Sequence, residues 1–186
     1  MDGDKYNCRI ANILYKNKDI SIANYWLNLD NLSLAKKWVS DNANEGLGIL
    51  SIDVDGNDYY FLESLISIKA AIIICEYNSV FGLAPISVPY DPSFDRRLKH
   101  SSCLYYGASL KALCFLASQH DYTLVEVGNT GINAFFLGND LLSPHDIRLA
   151  PETSFREKLF PDGSRYPQQF EAISNMPFTD VTKEIR

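Results

Sequence analysis

The chain carries no surplus of positive charge: 17 Lys and Arg stand against 23 Asp and Glu, a formal net charge of −6. That argues against a nucleic-acid binder, which usually shows a basic face, and leaves room for a small basic pocket. No apolar run is long enough to span a bilayer, so no membrane partner is expected. The amino terminus has acids at Asp2 and Asp4 and no apolar h-region, which argues against a signal peptide. The four cysteines, Cys8, Cys75, Cys103 and Cys114, form no CxxC or Cys/His metal spacing, and they read as reduced thiols of a cytoplasmic protein. There is no GxGxxG, no P-loop and no GxSxG, and the three histidines share no motif. Internal repeats and low-complexity tracts are also missing.

What is present is an ordinary core composition. Of 186 residues, 46% are hydrophobic and 22% charged, which excludes global disorder and suits one domain. Helical spacing predicts a short helix from Tyr6 to Tyr15, with Ile10, Ile13 and Leu14 on one face. Asp19 to Leu27 reads as a strand, with Ile20, Ile22 and Trp26 among its inward residues. A helix follows to about Ser40, its apolar face carrying Leu34, Trp38 and Val39.

Two apolar runs then end in polar clusters. Ile49 to Asp55 reads as a buried strand closing on Asp53 and Asp55. Ala70 to Cys75 reads as a second, closing on Glu76, Tyr77 and Asn78. Asn57 or Asp58 caps the helix between them, which runs through Leu65. A long loop spans Ser79 to Ser102, a helix Gly107 to Ser118, and strands Tyr122 to Val127 and Asn133 to Leu137. Strands alternating with helices predict an α/β, doubly wound, mostly parallel sheet, with the final hairpin as an antiparallel edge. The domain is placed at 1–148, and 149–186 as an extension packed on it.

Ligands of open α/β sheets bind beyond the carboxyl ends of the strands. The two polar clusters would therefore face one crevice, with Gly56 allowing a sharp turn or close approach. Capping and dipole roles for Asp55 and Asp58 are the plain alternative. Asp-x-Asp-Gly-x-Asp lacks the spacing and terminal Glu of an EF-hand, so no metal ligand is assigned. A cation-dependent hydrolase using Asp53, Asp55 and Asp58 is a third reading. Arg96, Arg97, Lys99 and His100, at the far end of the long loop, offer positive charge to an anionic group.

The segments LSIDVDGNDYYFLESL (50–65), IIICEYNSVFG (72–82), VPYDP, YYGASLKAL, GINAFFLGNDL and QQFEAISNMPFTDV resemble, in order, those of FkbM-like methyltransferases. The resemblance implies a class I methyltransferase fold with a seven-stranded sheet and S-adenosylmethionine as cofactor. It implies methyl transfer to an oxygen of a sugar or other small metabolite. Asp2 matches the acid that holds the cofactor ribose, with Asp4 beside it. Asp53 matches the acid after the fourth strand, and Asp55 is assigned with it to the cofactor. Glu76 is the candidate general base, and Asn57, Tyr77, Asn78, Tyr90 and Asp91 are placed on the substrate side. The family's first strand and glycine-rich turn are expected before Met1, making this a truncated domain. A homo-oligomer or a partner chain would then complete the sheet. The competing reading is a non-catalytic binding or self-association module of the same shape.

Overall fold

The computed structural model describes residues 1–16, 18–43, 46–158 and 163–183. The first helix, α1 (Lys5–Leu14), starts where the Asp4 carboxylate accepts the N–H groups of Tyr6 and Asn7. α2 spans Leu32–Asn42 and buries Leu32 and Ala35, not the expected Leu34. β1 (Ile49–Ile52) leads through a tight turn into α3 (Asp58–Leu65), and β2 (Ile72–Glu76) follows. The long loop contains β3 (Ile86–Ser87) and α4 (Arg96–Lys99). α5 (Leu110–Gln119), β4 (Tyr122–Val127), β5 (Asn133–Gly138), α6 (Pro151–Ser154), α7 (Gln168–Glu171) and β6 (Thr179–Asp180) complete the chain.

The architecture is mixed α/β. The larger sheet has the order β1-β2-β5-β4, and β3 and β6 form a small antiparallel pair. β1 and β2 run parallel with Ile52 opposite Cys75; β5 is antiparallel to both β2 and β4. One parallel pairing and two antiparallel ones make this a mixed sheet rather than the mostly parallel one expected. The expected hairpin is there, but β5 lies inside the sheet and β4 at its edge.

β2 has neighbours on both sides, which explains its continuous run of Ile, Ile, Ile and Cys. α5 is capped by Ser109, whose hydroxyl accepts the Ala112 N–H at 3.0 Å. Leu110, Leu113 and Ala117 repeat at helical spacing and are buried with Leu62, Leu65 and Phe136 in the main core. Each such leucine contributes about 1.5–3 kcal/mol through burial. A second cluster joins Phe81, Val88 and Phe94 of the long loop, and Tyr105 just after it, to Ile173 near the carboxyl end, backed by Phe170 and Phe178. The long loop is thus held by its own aromatic core.

The amino-terminal quarter departs from expectation. Asp19 to Leu27 is not a strand; a single parallel bridge joins Asp2 to Asn24. Isolated backbone pairing cannot offset chain ordering without a buried face, and Ile20 and Trp26 are 50% and 64% exposed. On α1, Ile13 and Leu14 point outward and Cys8 is the buried residue. β1 is an edge strand, and Ile49 on it is exposed. No helix among the described residues is long and apolar enough to cross a membrane. All four cysteines are free; Cys8 and Cys75 are buried, and Cys103 and Cys114 are half-buried.

Candidate functional site

Parallel register places the residues after Ile52 and Cys75 side by side at the carboxyl ends of β1 and β2. Those residues are Asp53 and Glu76. The chain then turns back at Asp55, a non-glycine residue at φ 55°. The turn is held from within by Asp58, whose carboxylate accepts the Val54 and Gly56 N–H groups, both at 2.9 Å. Asp58 is the first residue of α3 and is fully buried. Burial pushes its carboxyl up to about 6, against the pull of those hydrogen bonds. Its role is closer to the capping alternative than to a ligand site.

Carboxylate oxygens of Asp53, Asp55 and Glu76 all lie within 4.8 Å of one another. Asp53 and Asp55 are exposed, and Glu76 is buried. Among the described residues no group donates a hydrogen bond to the Glu76 side chain. Desolvation, then the charges of Asp58, Asp53 and Asp55, push the Glu76 carboxyl up to about 8.

In front of this cluster lies a cleft of about 580 Å³. Asp2, Asp4, Asp53, Asp55 and Asn57 all line it. Five residues selected from the sequence thus meet at one place, although the first two lie some fifty positions from the others. Trp26 and Phe94 supply aromatic walls. Asp4 is engaged as the cap of α1, and Asp2 accepts the Asp4 N–H at 2.7 Å.

The remaining expected site residues belong to the scaffold. Tyr77 is buried and donates its hydroxyl to the Arg156 carbonyl at 2.7 Å. Asn78 is buried, donates to the Leu104 and Tyr106 carbonyls and accepts the Val80 N–H. Both of its amide protons are committed to the scaffold. Tyr90 accepts the Leu29 N–H at 2.9 Å, and Asp91 pairs with Lys99. That pairing, with Ser93, pulls the Asp91 carboxyl down to about 2. None of the four lines the cleft.

The basic run is likewise neutralised from within. Arg96 pairs with Asp55 at 2.8 Å and sits 5.0 Å from the centre of the Tyr106 ring, Arg97 pairs with Asp95, and Lys99 with Asp91. His100 is tied to Ser102 at 2.7 Å. Arg96 is a cleft residue that the sequence placed only in a generic basic run. Its pairing with Asp55, 41 positions earlier, had no local signal in the sequence.

Comparison with protein-family models, with curated proteins and with solved structures finds no match for this chain. A broader recess of about 880 Å³ lies at the opposite end of the sheet, around Gly48, Ala70 and Asp121. It brings together no comparable cluster of acids, and it opens at the amino ends of β1 and β2, away from the strand ends where ligands of such sheets bind.

Proposed function

We propose that this chain is an S-adenosylmethionine-dependent methyltransferase acting on an oxygen of a sugar or other small metabolite, built on a Rossmann-like, doubly wound fold. The observation that carries the reading is the meeting of Asp2, Asp53 and Asp55 in one cleft beyond two parallel strands. The α3 crossover between β1 and β2 and the parallel bridge at Asp2 and Asn24 are what a doubly wound sheet requires locally.

The donor set fits the cofactor. Carboxylates of Asp2 and Asp4 suit ribose hydroxyls, which donate; each carboxylate has more acceptor sites than its local N–H partners fill. Asp53 and Asp55 make the cleft wall negative, which favours a cation. Trp26, 64% exposed, offers a flat apolar face to a base. The bound cofactor supplies an electrophilic methyl group on a sulfonium centre. The chain's own part is to position the acceptor and receive its proton, and we assign that role to Glu76, which lies beside Asp53 and Asp55 behind the cleft lining. With its carboxyl at about 8, the fraction able to take a proton grows as pH rises through that value.

Calorimetric titration of the folded chain with S-adenosylmethionine and S-adenosylhomocysteine tests this. Saturable binding, weakened about tenfold or more by Asp2→Asn (roughly one charge-assisted hydrogen bond), is expected. Absence of heat from a folded sample at high concentration overturns it.

A second reading, a non-catalytic self-association module, is favoured by a different observation. Most exposed large apolar side chains lie before residue 55, including Tyr6, Ile13, Leu14, Trp26 and Ile49, and β1 offers an unpaired edge beside them. Sedimentation equilibrium separates the two: a concentration-dependent oligomer without cofactor binding supports the module.

A further inference from the structure

Arg96 meets the cleft differently from its basic neighbours. Arg97 gives Nε and Nη2 to the Asp95 carboxylate, and its side chain is 78% exposed. Lys99 is bound to Asp91 and does not line the cleft. The Arg96 side chain is 34% exposed and lies over the ring of buried Tyr106, at 5.0 Å from its centre. A guanidinium stacked on a buried ring and paired with Asp55 at 2.8 Å is held in place before a ligand arrives. Asp55 is its one ion-pair partner among the described residues, through a single Nη1–Oδ1 contact. Most of its N–H donors are therefore free for a second acceptor.

Arg96 and Asp55 thus present opposite charges side by side on the cleft wall. An α-amino acid carries the same two charges on one carbon. Laid head to tail against the pair, its carboxylate meets the guanidinium and its ammonium meets Asp55, with Asp53 alongside. A ligand bearing only one of the two charges leaves half of the pair unanswered.

We propose that Arg96 receives the α-carboxylate of the cofactor's methionine part, while Asp55 takes its ammonium. This role rests on the cofactor reading and adds an orientation to it: ribose at Asp2 and Asp4, base against Trp26, amino-acid end at Arg96 and Asp55, all in one cleft. The cleft's surplus of acid does not oppose the contact. It acts at range, on the net positive charge of S-adenosylmethionine, whereas Arg96 acts on one carboxylate at contact distance.

Calorimetric titration of the full chain compares S-adenosylhomocysteine with its decarboxylated analogue, which keeps the adenosine, the thioether and the amine. Arg96→Gln should lower the ratio of the two affinities about tenfold or more, the loss of one charge-assisted contact. The variant should still bind the decarboxylated analogue, which also shows that its cleft is folded. Arg97→Gln, one residue on and already spent on Asp95, should leave the ratio within about twofold of the parent.

Two results overturn the role of Arg96 and leave the cofactor reading standing. One is a ratio untouched by Arg96→Gln, with both ligands weakened alike, which marks a brace for the turn at Asp55. The other is an equal fall in the ratio with Arg97→Gln, which marks a general effect of charge. Failure of the folded parent to bind either ligand is different in kind: it overturns the cofactor reading, and this role with it.

Discussion

Asn57 and Asp91 hold each other across 34 residues of chain: the Asn57 amide donates to the Asp91 carbonyl at 2.8 Å and accepts the Asp91 N–H at 3.3 Å. This reciprocal pair fastens the long loop to the turn that presents the acids. Asn57→Ala removes both bonds and leaves two backbone groups without partners. We expect a loss of about 1–2 kcal/mol in urea denaturation. Faster amide exchange across residues 88–95 should accompany it, while α5 keeps its protection.

Glu76 titrates in the fold near 8 and in the unfolded chain near 4.5. The folded state therefore holds on to a proton that the unfolded state releases, so stability falls as pH rises from about 4.5 to 8 and levels off above. Glu76→Gln removes this slope. Partial solvent access discounts the effect, leaving the variant roughly 2 kcal/mol more stable than the parent at pH 9, and close to it at pH 4. Thermal melts across that range check the sign; a variant equally destabilised at both ends would refute the assignment.

Gly56 is required by shape rather than by φ. A Cβ there would stand 2.1 Å from Cδ1 of Phe94. Gly56→Ala should cost about 1–3 kcal/mol by forcing that ring out of the second aromatic cluster. Combined with Phe94→Ala, the alanine at 56 should cost much less than it does alone, which a double-mutant cycle measures directly.

The two buried strands and the acids at the strand ends were legible because each follows from local chemistry; the caps at Asp4 and Ser109 emerge only with the structure. A β-branched apolar run that stops at a carboxylate has few other homes than a sheet interior ending at a surface. Tyr77 and Asn78 were misread because the same signal, polar groups after a strand, also marks a buried hydrogen-bonding post. Which of the two applies depends on Leu104, Tyr106 and Arg156, all distant in sequence. Asp19 to Leu27 was misread because period-two apolar spacing states a capacity to pair, and no described strand stands beside it to pair with beyond Asp2.

Asn78 gives the cleanest separation of scaffold from site. Asn78→Ala strips donors from two buried carbonyls and an acceptor from the Val80 N–H. A cost of about 2–4 kcal/mol is expected. In the fraction that remains folded, affinity for S-adenosylmethionine should stay within about twofold of the parent, since the residue does not reach the cleft. A large fall in affinity with little loss of stability would return Asn78 to the substrate side.

Exposed aliphatic residues on the β1 edge have a measurable counterpart. Ile49→Lys places a charge on this outer strand of the sheet and should shift sedimentation of concentrated samples toward the monomer, with little change in the melting transition. An unchanged distribution of species would remove β1 as an association edge.

The pairing of Arg96, Arg97 and Lys99 with Asp55, Asp95 and Asp91 leaves the mouth of the cleft with its surplus of acid uncancelled. Its long-range field therefore repels approaching anions and gathers cations. Raising ionic strength should slow the capture of a positively charged ligand and hasten that of a negative one, with the change concentrated in the on-rate.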